Sequence, residues 1–399
     1  MRIAHYCYGY FREGGIQTYV RTIAGAQAEM GHDIYIFDYL TDEMPRSSYT
    51  EPNSMYRAFT SPQELASLCK ELHIEVLHLH DYFPESLRDT QSDTFVVRTI
   101  HHHGLHCPSG SKFFKSDQRV CERGFSYAGC LWGHLVNQCG SRRPGRILQN
   151  FLHLNTEKKV MADIPIIAVS EYLCKQIVEA GFPERMVQTL HLPVQVKGEH
   201  KLTPLQEGPP RFVFLGRIVP LKGLEWLIRA IAQTNASVHM DVAGDGYDAD
   251  RMKSLSENLG LSDRVAFHGW LSGDEARKLV LASRAVIAPS LWPEPAGFTP
   301  FEAMAQGRAV IASKIGGLQE SLQHGVNGLL VEANHTQAMA EAILTLARDR
   351  SLAQTMGEAG YRIVQTRFSL QQHIEKLMNI YREKVSFKTN RGVKHGEGA

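Results

Sequence analysis

The stretch Glu294-Pro295-Ala296-Gly297-Phe298-Thr299-Pro300-Phe301-Glu302, followed directly by Ala303-Met304-Ala305-Gln306-Gly307, decides how this chain is read. Pro293, Pro295 and Gly297 keep the first half out of a helix, Thr299 suits the N-cap and Pro300 the first helical position. A loop should therefore feed straight into a helix N-terminus, where free backbone N–H groups and the positive end of the helix dipole collect. Such an end can bind a diphosphate without a dedicated basic residue. Glu294 then stands on the loop and Glu302 in the first turn. Thr299-x-x-Glu302 also has the form of a capping box, in which Glu302 would only stabilise the helix.

Upstream, the apolar run Arg211 to Leu215 ends at Gly216-Arg217, and Lys222-Gly223 opens the next amphipathic stretch. The pattern is strand, loop, helix. In an open α/β sheet, ligands bind beyond the carboxyl ends of the strands, which is where Arg217 and Lys222 fall. Two cations there would neutralise a departing nucleoside diphosphate. Taken singly, each would be an ordinary surface charge.

The same alternation runs along the whole chain. Arg2 to Tyr8 reads as a first strand, with Ile16, Tyr19, Val20 and Ile23 at helical spacing behind it until Gly31 stops the helix. Ile34 to Phe37, Val76 to Leu79, Phe95 to Ile100 and Ile164 to Val169 are further strands. Strands alternating with helices predict parallel sheets covered on both faces. With 399 residues, the chain is long enough for two cores. The expected divisions are a first domain over 1–195 with an insertion near 104–146, a linker over 196–210, a second domain over 211–370, a closing helix over 371–385 and a disordered tail over 386–399.

The motifs GGIQTYV (14–20), GRIVPLKG (216–223), VAGDG (242–246), APSLWPEPAGFTPFEAMAQGRAVIAS (288–313), IGGLQE (315–320) and HGVNGLLV (324–331) occur in order over nearly the whole chain. Together they resemble the retaining GT-B glycosyltransferases of the family-4 type, the glycosyl transferases group 1. The resemblance implies two Rossmann-like domains with parallel sheets facing an interdomain cleft. It also implies a nucleotide-diphosphate sugar held mainly by the C-terminal domain, transfer with retention, and no cofactor or catalytic metal.

Carried over by position, the resemblance assigns Arg217 and Lys222 to the donor diphosphate, Glu302 to the ribose hydroxyls and Glu294 to the sugar ring. The backbone around Gly297 and Phe298 would touch sugar and phosphate, and Gly14 and Gly15 would form the glycine turn closing over the donor. His101, with His102 second, matches the histidine near the transferred sugar, as a polar contact and not a metal ligand. Phe298 stands near the family's Gly-Leu step, and Ala296 replaces a frequent aromatic, which bears on donor-sugar choice. In a front-face mechanism the leaving phosphate accepts the acceptor's proton, so His101, Glu294, Arg217 and Lys222 act by position and charge.

Net charge is +1, which argues against wholesale nucleic-acid binding. The N-terminus lacks the form of a signal peptide, and no run approaches a membrane span, so a cytoplasmic protein is expected, touching a membrane only peripherally. Of seven cysteines, Cys107, Cys121, Cys130 and Cys139 share one segment, with 13, 8 and 8 residues between them. This spacing lacks a tight C-x2-C knuckle. Reduced thiols in an irregular insertion are the first reading and a structural zinc the second. Lys112-Phe113-Phe114-Lys115, Trp132, Arg142, Arg143 and Arg146 lie in the same segment. A solvated loop is the first reading, while a membrane interface and a lipid-linked saccharide acceptor form the second.

A nicotinamide dehydrogenase is disfavoured because Gly9 to Gly15 lacks G-x-G-x-x-G and Gly244-Asp245-Gly246 finds no third glycine. A sugar-nucleotide epimerase or phosphorylase of the same architecture, or a non-catalytic nucleotide-sugar-binding regulator, are the alternatives. The presence of Glu294, Glu302, Arg217 and Lys222 speaks for an enzyme.

Overall fold

The computed structural model describes residues 1–12, 14–39, 55–82, 94–194, 202–234 and 237–393, with side chains described as far as residue 383. The chain forms two compact units. The first comprises Met1–Ser111, Arg123–Pro193 and Leu370–Ala399, and the second Lys112–Glu122 and Val194–Ser369.

The first unit begins β1 (Arg2–Tyr6), α1 (Gly15–Glu29), β2 (Asp33–Tyr39), β3 (Met55–Phe59), α2 (Pro62–Glu71), β4 (Val76–Leu79) and β5 (Phe95–Ile100). A hairpin, β6 (Phe113–Phe114) with β7 (Arg119–Val120), then belongs to the second unit. The first unit resumes with α3 (Tyr127–Leu135), α4 (Pro144–Val160), β8 (Ile166–Ala168), α5 (Glu171–Glu179) and β9 (Val187–Thr189). Its seven strands lie in the order β3-β2-β1-β4-β5-β8-β9, every neighbour parallel. β4 and β5 are buried at every position, as strands covered on both faces must be. Arg98 of β5 and Glu157 of α4, both almost fully buried, form an ion pair at 2.5 Å that ties α4 to the sheet.

The second unit contains β10 (Arg211–Leu215), α6 (Leu224–Ala232), β11 (His239–Ala243), α7 (Ala249–Asn258), β12 (Val265–Gly269), α8 (Gly273–Ala282), β13 (Ala285–Ala288), α9 (Phe298–Ala305), β14 (Ala309–Ser313), β15 (Gly328–Val331), α10 (Thr336–Arg348) and α11 (Arg350–Arg367). The strand order is β12-β11-β10-β13-β14-β15, all parallel. This is the 3-2-1-4-5-6 order of a Rossmann sheet, and the order reverses between β10 and β13. α6 is the most amphipathic partner of this sheet, burying Leu224, Trp226, Leu227, Ile228 and Ile231 against Phe212, Met240 and Ile287.

The last helix, α12 (Leu370–Val393), belongs to the first unit. There it packs on α1 and β5, with His373 facing Tyr19 at 3.0 Å and Tyr381 facing His78 at 2.6 Å. The tail expected to be disordered from Ser386 is instead helical in backbone to Val393, and residues 394–399 lie outside the described residues. A packed N-terminal half nucleates this helix, and Lys, Arg and Phe then extend it at little cost per residue. Of the expected linker, residues 196–201 lie outside the described residues. The remainder belongs to the second unit, where Leu205 is buried in the core. The insertion expected near 104–146 is divided between the units, since residues 112–122 count with the second.

Candidate active site

β10 and β13 are neighbours at the point where the strand order reverses, and both lead into the loops that carry the candidate donor residues. After β10, Gly216 turns the chain at φ +151 and Arg217 is left exposed, with no side-chain partner among the described residues. A 3-10 turn, Pro220–Lys222, ends at Gly223 in the left-handed region (φ 72, ψ 18). A Cβ at Gly223 would lie 1.8 Å from the Pro289 carbonyl oxygen. Glycine is therefore required both for the turn and for the approach of the chain leaving β13. Leu291 N–H donates to the Leu221 carbonyl at 2.9 Å and the Ser290 hydroxyl to the same oxygen at 3.2 Å.

This clamp sets Lys222 against Glu294. The Lys222 ammonium donates to Glu294 Oε1 at 2.8 Å, with side chains 24% and 13% exposed. Phe214, Ala288, Thr299 and Leu318 share a small pocket with the pair. The Glu294 backbone is pinned in turn. Gly317 N–H donates to the Glu294 carbonyl at 2.7 Å, and Gly316, at φ 54, leaves no room for a Cβ, which would stand 2.6 Å from that oxygen.

α9 starts earlier than the sequence reading has it. Its N-cap is Gly297, with no side-chain capping bond, so Thr299 is the second helical residue and not the cap. The capping box is not formed, and Glu302 lies in the second turn. The reason is steric and local: Gly297 takes the extended cap conformation, and Pro300, lacking an N–H, is tolerated anywhere in the first turn. The amides of Phe298 and Thr299 are left without a capping side chain, which is the arrangement an anion satisfies. Glu302 has no side-chain hydrogen bond among the described residues. It is solvent-accessible yet crowded by neighbouring protein atoms, and desolvation raises its carboxyl above the ordinary range.

The VAGDG stretch buttresses Arg217. A Cβ at Gly244 would meet the Gly216 carbonyl oxygen at 1.9 Å and one at Gly246 the Ile218 carbonyl oxygen at 2.2 Å. Ile218 N–H donates to the Asp245 carbonyl at 2.8 Å. Sequence reasoning weighed these glycines as a dinucleotide motif; their structural task is close approach of two loops.

In the first unit, Gly14 is the N-cap of α1, without a side-chain capping bond, and Gly15 its first residue. No acidic residue lies in the first turn. His101 follows β5. Its Nε2 is buried without a hydrogen-bond partner, and its ring lies 5.0 Å from that of Tyr19. Burial first, then the charges of His102, Arg98 and His373, push its pKa down to about 3, so it is a neutral imidazole near pH 7. His102 Nδ1 accepts from Gly104 N–H at 2.9 Å and caps the short turn His103–Leu105, a structural task.

Sequence reasoning missed the company His101 keeps. His5 Nε2 donates to Gln27 Oε1 at 2.7 Å, so its Nδ1 accepts from His80 Nε2 at 3.0 Å. His78 bonds Tyr381 OH at 2.6 Å and Thr99 Oγ1 at 2.7 Å. Among the described residues, His5, His78 and His80 are the one group of three or more His, Cys, Asp or Glu whose ligand atoms lie within 4.8 Å of one another. With every nitrogen of His5 and His78 in a hydrogen bond, the set is a neutral polar core layer between sheet, α1 and α12. The available signal was His78 and His80, two apart on one strand face.

Cys107, Cys121, Cys130 and Cys139 form no such group and no disulfide. Of the residues considered for a membrane interface, Lys112, Phe113 and Phe114 are buried, because the hairpin packs Phe113 into the second unit's core. Trp132, Arg142, Arg143 and Arg146 are exposed.

The fold and this constellation define a class. Residues 13–197 match the model of Glycosyltransferase Family 4 and residues 197–363 that of Glycosyl transferases group 1. The chain belongs to the family-4 type of GT-B glycosyltransferases. It is similar to the N-acetyl-alpha-D-glucosaminyl L-malate synthase of Bacillus anthracis, 24% identical over 96% of both chains. It is also similar to the lipopolysaccharide core biosynthesis glycosyltransferase LpsE of Rhizobium meliloti (strain 1021), 34% identical over 40% of this chain and 46% of that one. The chain spans about half the length of the first curated relatives it matches. HepE of Anabaena in complex with UDP shares the fold, with a TM-score of 0.70, 17% identity and coverage of 96% of this chain and 100% of that one.

Proposed function

We propose that the chain transfers a hexose-type sugar, with retention of configuration, from a nucleotide-diphosphate sugar to a saccharide or lipid-linked saccharide acceptor in cell-surface polysaccharide or glycoconjugate biosynthesis. The observation that carries this reading is the Lys222–Glu294 pair at the switch point of the second sheet, beside the uncapped start of α9. A diphosphate there would meet Arg217, Lys222 and the amides of Phe298 and Thr299, while the Glu302 carboxylate, free of protein donors, would accept from ribose hydroxyls. Glu294 shares the Lys222 ammonium and would face the sugar ring. As charge builds on the leaving phosphate, Lys222 is already oriented, so little reorganisation is needed. His101, neutral and carrying an unpartnered nitrogen, would hydrogen-bond a sugar hydroxyl. No metal is required for these steps. UDP in HepE and the lipopolysaccharide core in the name of LpsE support a nucleotide donor and a cell-surface product. On this reading the enzyme works in the cytoplasm and meets the inner face of the membrane peripherally. No helix among the described residues is long and apolar enough to cross a membrane.

A thermal-shift panel of UDP-, GDP-, ADP- and CMP-linked sugars, with NAD as control, tests the reading. A ligand at one hundred times its Kd adds about 2.7 kcal/mol. A shift with one nucleotide sugar supports it; a shift with NAD alone, or with none, defeats it.

A further inference from the structure

α3 and α4 turn an apolar face to solvent. Tyr127, Leu131 and Leu135 of α3 meet Ile147, Leu148 and Leu152 of α4 across a groove of about 600 Å³. Tyr127, Leu131, Trp132, Leu135, Leu148 and Leu152 are each between 44% and 60% exposed. The groove is held open, not collapsed, because Tyr127 OH donates to Asn155 Oδ1 at 3.1 Å and its ring stacks on Phe151 with centroids 5.6 Å apart. A contiguous patch of this kind marks a surface that meets something apolar.

Charge says what that is. From Arg123 to Thr156 the sequence holds no Asp or Glu, yet it carries Arg123, Arg142, Arg143 and Arg146. Arg143 is the N-cap of α4, Arg146 lies in its first turn, and no acidic residue stands there. Cations at a helix N-terminus oppose the dipole, so these arginines do not serve the helix. All three of Arg142, Arg143 and Arg146 are exposed, and their side chains have no ion pair among the described residues. Phosphates outside the chain would satisfy them.

We propose that the α3–α4 face docks on a lipid bilayer bearing anionic headgroups, with Leu131, Trp132, Leu148 and Leu152 entering the interface and the three arginines meeting headgroup phosphates. An apolar stripe with Trp and Tyr at its rim, in a run from Arg123 to Thr156 whose full charges are all arginines, has the composition of an interfacial segment. The proposal rests on the function above only in that a lipid-linked acceptor would be met there. Binding is read without donor or acceptor, so either reading can fail while the other stands.

The test is co-sedimentation of the full chain with sucrose-loaded vesicles of phosphatidylcholine alone or mixed equally with phosphatidylglycerol, at low and high salt. The chain should pellet with the mixed vesicles at low salt and stay in solution with phosphatidylcholine. A Trp132→Ser, Leu148→Ser variant and an Arg142→Ser, Arg143→Ser, Arg146→Ser variant should each lower partitioning by roughly tenfold or more. Their thermal melts should match the wild type, since the side chains are exposed. Should a variant misfold, quenching of wild-type tryptophan fluorescence by brominated lipid, absent in Trp132→Phe, reads the same contact. The proposal is overturned by no pelleting with mixed vesicles, by pelleting that both folded variants keep, or by a concentration-dependent dimer that the apolar variant dissociates without any vesicle binding.

Discussion

Lys222 and Glu294 stand 72 residues apart in the chain and 2.8 Å apart in the structure, joined because the loops after two neighbouring parallel strands meet where the strand order reverses. The pair is partly shielded from water, so each side chain orients the other before any ligand arrives.

Lys222→Ala should lower kcat/KM by more than about tenfold, a loss of about 1.4 kcal/mol of transition-state stabilisation. Glu294→Gln should keep nucleotide affinity within a few-fold and lower turnover, because its partner remains while the sugar contact weakens. Initial rates against donor concentration separate the two; near-wild-type activity in both would end the donor-site assignment.

Gly223→Ala should destabilise the chain by at least about 2 kcal/mol, since a left-handed residue gains a Cβ against a backbone carbonyl that cannot retreat. Urea unfolding measures this. Loss of donor binding in the still-folded fraction is expected with it, because the Lys222 turn must move.

Glu302→Ala should change stability by no more than about 0.5 kcal/mol and so leave the melting temperature almost unchanged, because no capping bond is lost. Donor affinity should fall instead. Its raised carboxyl pKa adds a pH signature: as pH falls through that value the carboxylate takes up a proton and loses an acceptor, so wild-type affinity should decline on acidification. Titration calorimetry at several pH values checks it, and Glu302→Ala should lack the decline. An unchanged affinity with a lowered melting temperature would return Glu302 to a structural role.

Acid should unfold the first unit early. Burial pushes His5 and His373 down to about 4 and His101 to about 3, and holds His78 and His80 well below their ordinary value. The folded state keeps these rings neutral while the unfolded chain protonates near 6.5, so the unfolded state binds more protons between the two values. Stability is full above about pH 6.5 and declines toward pH 4, each ring adding up to about 1.4 kcal/mol per pH unit. Denaturant midpoints across this range measure the slope; a flat profile would mean that the cluster is not buried in solution.

The strand-and-helix alternation was legible from β1 onward because short apolar runs, glycines and 3.6-residue spacing are local properties. The start of α9 was misread by two residues because Thr299 and Pro300 fit a local rule that Gly297 pre-empted. The hairpin at Phe113 looked like an exposed aromatic and cationic stretch, and it is buried because a long-range core takes it in. His5 and His373 lie on elements far along the chain from the His78–His80 stretch, and only the two-residue spacing of that stretch hints at a cluster.

By itself, the sequence determined the two parallel-sheet units, the family and the chemical types at the site: two cations, two carboxylates and the glycines around them. Those depend on residue identity and near-neighbour spacing. Only the tertiary structure decided that Lys222 pairs with Glu294, that Glu302 is left without a capping partner, that histidines line the first core and that α3 and α4 keep an apolar face in water. Pairing and burial are set by which distant segments pack together, and that energy is spread over contacts that no single stretch of chain contains.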